Sequence, residues 1–565
     1  MNKHIARLLV LALTLGLLSA CGALQSAGES TAPAAQESPS ISEAAEAAGE
    51  PAQAPEESDM EVSKPSDGAS AAEPEVTVHY PLVDETTTLT AFAALPNLYT
   101  GLEVNDFAIY QNAEEATGVH IDWQTVDQDA STDQFALIIA SGDWPDIAVG
   151  GIRYYTSGSE AAVEDEVFVD LAPYLEDYAP DYLEFLNSNE YYKKLVTTAS
   201  GYIPAVCRVG YVNSGASGIQ IRQDWLEELG LEAPSTYDEL TAVIKEFQSA
   251  YDCDWAIMKG SALYFDISGT MMGGYGLTSD FTVRDGEVCY SPTLDEWKDY
   301  MGMLTEWYQD GLYSSDYTTI IGTSFTQYLY NGEVGCWVGG YDFLSDSTAS
   351  MVNDPNFKAM AVADMTVNEG DTIHTGTFKE TMTPTSSWSI FTTSDNLELA
   401  LSYCNWFYAD GAILTDVGEE GVAWEYDDNG NIVYTELIMN NPDGYTVEIC
   451  KALYGGGFLN PGYGSWNNNS AGFSNEAEAE CFDIWNSNRD DENLYRTVMT
   501  AEESSTYNAL NNDLKTYLDE SFNKVIVGEL TVDDWDEVVT QMYDAFSLQE
   551  MIDICQTAYD RYMEA

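Results

Sequence analysis

Basic side chains are scarce in this sequence: its 565 residues hold 20 Lys and Arg against 95 Asp and Glu, a formal charge of −75. Binding to nucleic acid draws on counterion release by clustered Lys and Arg. No such cluster exists here, which excludes nucleic acid as a partner. Anionic membrane surfaces would repel the chain for the same reason. The field also disfavours polyuronates and phosphosugars as ligands, unless a local basic site overrides a screened global charge. A neutral ligand is the expectation.

Histidine is nearly missing, and beyond the first residues only His79, His120 and His374 occur. None has a partner at metal-site or triad spacing. GxSxG, HExxH, P-loop and GxGxxG signatures are all lacking, so no cofactor, no metal and no enzymatic activity is expected. A glycosidase needs only two carboxylates at a set separation in space, and that enzymatic alternative stays open. A cell-surface adhesin is a third reading. The nine cysteines have no CxxC spacing; those from Cys207 to Cys555 read as small buried hydrophobes, and eight cysteines allow 105 connectivities among which the sequence selects none.

Long apolar runs are also rare. The single one, Leu8 to Leu18 behind Lys3 and Arg7, is too short for a mature membrane span and reads as a signal-peptide core. The chain is therefore exported. Leu18-Ser19-Ala20-Cys21 resembles a bacterial lipobox, in which Cys21 becomes the acylated (palmitate-type) N-terminus and the membrane is reached through that lipid anchor only. Cleavage removes Lys3 and Arg7, leaving 18 basic residues and a net charge near −77. Residues 22–75 are Ala, Ser, Glu, Pro and Gly with almost nothing large and apolar, too little to offset ordering entropy. A flexible tether with a reach of roughly 40 Å is the expectation.

What the chain does have is aromatic surface, 12% of residues with 13 Trp and 37 Tyr. Tyr and Trp combine an apolar face with a hydrogen-bonding edge, which is what a sugar ring requires. It also has clear α/β punctuation. TTLTAFAAL, HIDWQTV and PDIAVGG read as strands, separated by a helix from Asp106 to Thr117 and by one that Ser131 caps through Gln134 and Gly142 stops. That alternation predicts a parallel, doubly wound sheet, with ligand expected beyond the strands' carboxyl ends, near Asn97, Tyr99, Arg153 and Tyr154. Capping boxes are expected at Thr236–Glu239 and Thr293–Glu296, and a hairpin at Asn429-Gly430.

The stretch IQIRQDWLEELGLEAPSTYDELTAVIKEF, residues 219–247, closely resembles the signature of the extracellular solute-binding proteins, family 1, the lipoprotein receptors of carbohydrate ABC importers. The spacing agrees at Ile221, Arg222, Asp224, Trp225, Leu226, Leu229, Gly230, Pro234, Thr236 and Glu239. EEATGVHIDW, ASGDWPDI, EWYQDGLYSSDY and NGEVGCWVGGYDF are similar to further segments of that family, and the likeness runs over residues 77–565. It implies an α/β, two-lobe periplasmic-binding-protein-like fold with hinged lobes and a central cleft, preceded by a disordered tether. By that resemblance residues 1–20 are a signal peptide, 21–75 the lipidated Cys21 and linker, 76–205 and 359–415 the first lobe, 206–358 and 416–565 the second. The implied function is capture of a neutral oligosaccharide on the extracellular face of the cytoplasmic membrane and delivery to ABC importer permease subunits by a monomer. One departure stands out: where many relatives carry a calcium loop, this chain reads QSAYDCDWAIMKG, without the oxygen ligands or the turn glycine, so no calcium is expected there.

Tryptophans at loop or strand ends are the better stacking candidates, and Trp225, Trp297, Trp307, Trp406 and Trp535 are set aside as helix packing. That leaves Trp144, Trp337, Trp388, Trp424 and Trp466, at least two of them expected to stack on sugar, with Trp255 a weaker sixth. Arg153, Tyr154, Arg222 and Tyr341 complete the candidate binding set. For Arg222 and Asp224 a structural lock on the segment between the lobes is weighed ahead of a place facing the cleft.

Overall fold

A computed structural model describes residues 77–211, 217–251, 253, 255–259, 270–314, 317–318, 323–374, 380–490 and 495–564. Cys21, the segment 22–75, Asp252, Asp254 and the side chain of Trp255 lie outside the described residues. In chain order the strands are β1 (Thr87–Leu95), β2 (Val119–Asp127), β3 (Ile147–Val149), β4 (Val206–Tyr211), β5 (Ser217–Arg222), β6 (Trp255–Lys259), β7 (Phe281–Arg284), β8 (Glu287–Tyr290), β9 (Val334–Gly340), β10 (Ala359–Ala361), β11 (Glu380–Ile390), β12 (Trp424–Tyr426), β13 (Ile432–Tyr434) and β14 (Gly462–Gly464).

The first lobe is built on a six-stranded sheet in the order β14-β4-β11-β3-β1-β2. β1 pairs in parallel with β2 and β3, and β14 with β4, while β11 runs antiparallel to both β3 and β4. Five strands therefore share one direction and β11 alone opposes them. The sheet is mixed rather than purely parallel because β11 enters from the second lobe, across the edge at which the other five strands end. β1 is buried on both faces from Ala91 to Ala94, as a strand covered by helices on each side must be. The helix Ala108–Thr117 ends at Gly118 (φ 77°) and Ser131–Ser141 at Gly142 (φ 69°), both left-handed positions open to glycine.

The second lobe carries a four-stranded sheet in the order β10-β5-β9-β6. β5 leads directly into the helix Gln223–Leu229, closed by Gly230 at φ 67°, as the IQIR stretch predicts. The next helix, Tyr237–Tyr251, opens on the expected capping box: Glu239 Oε2 accepts from Thr236 N at 3.2 Å and Thr236 Oγ1 accepts from Glu239 N at 3.3 Å. Its Leu240, Val243, Ile244 and Phe247 enter a core shared with Trp297, Trp307 and Trp535. The helices Ala501–Ile526, Trp535–Ala545 and Leu548–Glu564 close that core from the C-terminal side. Trp406 packs in the first lobe, so every tryptophan assigned to helix packing is buried there.

Two cap assignments do not hold. Ser131 lies inside its helix and donates to Gln128 O at 2.7 Å, and Thr293 donates to Tyr290 O at 2.8 Å ahead of a helix that starts at Asp295. In each case a short 3-10 turn precedes the helix and takes the hydroxyl. The lobe boundaries also lie later than the resemblance implies. β4 still belongs to the first sheet, so the chain crosses between Tyr211 and Ser217. β10 pairs with β5 and Ile373 bridges Arg489, so the return falls between His374 and Glu380. Residues 416–464 stay with the first lobe. There the β12–β13 hairpin forms around Asn429-Gly430, Ala452, Leu453 and Leu459 join the first core, and β14 lines the sheet's edge. The final crossing precedes the helix Glu476–Asn486, whose Trp485 donates to Ile219 O of β5 at 3.1 Å.

Candidate functional site

The carboxyl ends of β1, β4 and β14 and the start of β11 meet at one edge of the first sheet. A cavity of about 600 Å³ opens there between the lobes. From the first lobe it is lined by Tyr99, Arg208, Thr383, Tyr434, Phe458 and Asn468, among others, and from the second by Tyr341 and Asp342. A second cavity of about 540 Å³ lies between the helix Glu190–Val196 and residues 495–499. Its ionic groups already serve the fold: Glu160 accepts from Ser200 N and Oγ, and Arg496 donates to Tyr191 Oη and lies over that ring. The first cavity is the one that brings aromatic rings and polar edges together from both lobes.

Its apolar wall is a stacked pair, Tyr99 on Phe458, with centroids 4.3 Å apart and planes at 25°. Tyr99 follows β1 in a 3-10 turn, and burial pushes its hydroxyl up to about 12, so it stays a neutral donor. Phe458 is delivered by the run Gly455-Gly456-Gly457. A Cβ at Gly456 would stand 2.2 Å from Thr415 O and one at Gly457 (φ +73°) 2.6 Å from Asn460 Oδ1, so only glycine lets this loop reach its place. Ser386 Oγ and Trp388 Nε1 then hold it by donating to Phe458 O at 2.5 Å and Leu459 O at 2.6 Å. Opposite, Tyr341 begins the 3-10 turn after β9 and leans on Phe473 and Phe482 at 5.6 and 5.4 Å.

The polar edge comes from Ser465, Asn468, Asn469, Glu448 and Lys451. Asp416 stands behind it, its carboxylate accepting from Ser465 N at 2.8 Å and Ser465 Oγ at 2.5 Å; burial pushes that carboxyl upward and the serine bonds counter the shift. Arg208 sits on the floor, half-buried. Burial pulls its guanidinium downward, with Asp416 the strongest opposing influence, and Nη1 has no hydrogen-bond partner. Among the described residues no group of three or more His, Cys, Asp or Glu could hold a metal ion, and no helix is long and apolar enough to cross a membrane. Among the described residues the eight cysteines from Cys207 to Cys555 are thiols rather than disulfides.

Of the sequence candidates, the structure brings Tyr341 into the cavity and puts Tyr99 there, as the strand-end rule expects. Trp466 lies next to it, following Ser465, half-buried and edge-on to Phe482 at 4.7 Å. Three tryptophans proposed as platforms are core instead. Trp337 and Trp388 are 0% exposed and Trp424 4%, and their indole N–H groups donate inward to Gln220 Oε1, Leu459 O and Gly418 O. Tyr154 is buried against Phe92 and Phe135. Trp144 packs on Phe391 and donates to Ile139 O at 3.2 Å, and Arg153 is exposed; neither lines the cavity. Arg222 is a lock within the second lobe, 0% exposed, bonded to Asp224 at 2.6 and 2.8 Å and to Asp354 at 2.5 Å, with its guanidinium over Trp225 at 4.2 Å. Sequence reasoning missed Phe458, Lys451 and Arg208; the GGGF run, a loop with no side chain before one aromatic, was the available signal for the first.

The profile of the family described as bacterial extracellular solute-binding protein matches residues 101–413. The fructooligosaccharide ABC transporter substrate-binding protein FusA of Streptococcus pneumoniae is 28% identical over 184 residues, 30% of this chain and 32% of that one. Lipoprotein LipO of Bacillus subtilis is 23% identical over 351 residues, 58% of this chain and 65% of its own, and the polygalacturonan/rhamnogalacturonan-binding protein YtcQ of the same organism is 24% identical over 249 residues, 43% and 48%. The matches thus span between a third and two thirds of those relatives. Among solved structures, the alginate-binding protein AlgQ2 aligns over 85% of this chain and 99% of its own at a TM-score of 0.67 and 20% identity. An HMO-binding solute-binding protein of Bifidobacterium longum infantis aligns over the same shares at 0.68 and 17%. The fold is therefore the two-lobe one of these proteins, and they are binding proteins, not enzymes.

Proposed function

Because the chain belongs to the bacterial extracellular solute-binding protein family, we propose that it is a lipid-anchored receptor that captures an oligosaccharide between its lobes and delivers it to the permease subunits of an ABC importer. The observation that carries the reading is the cleft itself. A stacked Tyr99–Phe458 wall faces Tyr341 across the lobes, and amides and hydroxyls at residues 465–469 line the edge. Sugar rings use both kinds of surface, apolar C–H faces on aromatics and hydroxyls on amide and acid partners. Relatives named for fructooligosaccharide and for polygalacturonan/rhamnogalacturonan support carbohydrate as the class, and the name of LipO supports lipidation, here at Cys21. Residues 21–75 then form the tether, the receptor stands on the extracellular face of the cytoplasmic membrane, and the monomer presents both lobes to the permease. Whether the sugar is neutral turns on one cation in the cleft, Arg208.

The test is a titration of the full chain with a panel of plant and host oligosaccharides, read by intrinsic fluorescence and calorimetry. Saturable binding with a dissociation constant below about 100 μM is expected for at least one of them. No binding to any member up to about 1 mM, the weak limit of specific recognition, would sink the reading.

A further inference from the structure

Arg208 occupies β4 between Thr383 of β11 and Gly462 of β14, and two residues on, on the same face, Gly210 pairs with Gly464. Three glycines thus leave the floor around the guanidinium bare. A Cβ at Gly464 would come within 3.3 Å of Nη2, and one at Gly210 within 2.5 Å of Gly464 O, so these strands pack closely only without side chains. In a chain with 95 acidic residues, this guanidinium makes no ion pair or side-chain hydrogen bond among the described residues. Asp416 is near enough to favour its charge, but its carboxylate accepts from Ser465 N and Oγ and forms no ion pair with Arg208 among the described residues. Lys451, the cavity's other cation, is engaged, 3.8 Å from Glu448 and over the ring of Tyr434.

Closing the lobes over a ligand removes water from this floor. An arginine enclosed with its nearest carboxylate, Asp416, outside ion-pair distance and Nη1 without an acceptor would keep unsatisfied donors, which is costly, whereas a ligand carboxylate matches its planar fork with two parallel hydrogen bonds. Global charge does not forbid this, because screening over about 10 Å leaves the local field to the nearest groups. Asp342 and Glu448 line the same cavity and would repel a second charge, which fixes the carboxylate to Arg208. We propose that Arg208 receives the carboxylate of an acidic sugar residue, so that the ligand is an oligosaccharide bearing a uronate or a similar carboxylate-carrying ring. The inference rests on the reading of the cleft as an oligosaccharide site, and it replaces the neutral sugar that composition alone suggests.

Calorimetry on the full chain would compare trigalacturonate, aldotriouronic acid and sialyllactose with galactotriose, xylotriose and lactose. At least one acidic sugar should bind about tenfold or more tightly than its neutral counterpart, with the gap narrowing at high salt. Arg208→Gln, checked for folding by circular dichroism, should erase the gap, and Arg208→Lys should keep part of it. Neutral sugars binding as tightly as acidic ones, or Arg208→Gln weakening both alike, would overturn the inference and leave the oligosaccharide receptor standing. No binding by any of the six would bring down both. Should the glutamine variant fail to fold, the parent's acid-to-neutral ratio and the lysine variant decide.

Discussion

At the scale of residues, the structure separates aromatics that build the fold from aromatics that line the cavity between the lobes. Trp388→Ala should lower stability by about 3–5 kcal/mol, the usual effect of emptying a large core site, read from urea unfolding. Phe458→Ala should instead weaken sugar binding by about 2 kcal/mol while the melting temperature moves little. The reverse pattern would exchange their roles. Arg222→Ala should destabilise by about 3 kcal/mol through the two carboxylates it strands, and ligand affinity in the folded fraction should stay within a factor of three; a selective loss of affinity would return Arg222 to the site. The sequence made these distinctions only in part. Indoles on helix faces were legible as core from their spacing. Trp388 was not, because SSWSIF is serine-rich, yet Ser387 and Ser389 are also 0% exposed in a central strand whose hydroxyls find internal partners or stay enclosed. Nor does a lone Arg in VCRVGY announce that its neighbours across the sheet will be glycines.

At the scale of elements, helices with start and stop residues were readable nearly to the residue, and so were strands flanked by them. What depends on pairing was not: the antiparallel course of β11 and the late lobe boundaries follow from which segments meet, and no local period encodes that. One element carries a pH dependence. Asp280, at the head of the β7–β8 hairpin, is half-buried with Oδ1 enclosed and unpaired and Tyr507 donating to Oδ2 at 3.0 Å, and desolvation pushes its carboxyl from the usual 3.8 up to about 6. A carboxyl raised on folding is a penalty when ionised. Its cost is absent below about pH 4, grows through the interval to pH 6 and is complete above it. Asp280→Asn should therefore stabilise the protein at pH 7, by roughly 2–3 kcal/mol at most, and do little at pH 4. A melting-temperature gain equal at both pH values would show that the carboxyl's charge is not the cause.

At the scale of the whole molecule, a net charge of −75 sets every part of the surface against the rest. Added NaCl shortens the screening length from about 30 Å at 0.01 M to about 10 Å at 0.1 M, so the melting temperature should rise over that range; a fall would mean that ion pairs such as Arg561–Glu503 outweigh the repulsion. In the proposed receptor the lobes close on ligand, so saturation with ligand should reduce the radius of gyration in solution scattering. On the proposed export route, the position of β11 reaches further back, into the chain's first moments outside the cell. A protein threaded through an export channel emerges N-terminus first. β3 and β4 arrive early, but the strand that must lie between them does not exist until residues 380–390 are out, and β14 follows later still. Until then both strands present open edges, which invite association with other chains. The first lobe therefore cannot be completed piecemeal. A secreted chain ending at residue 374 should remain protease-sensitive in all its parts, and the long wait for one central strand sets how concentrated the nascent chain can safely become.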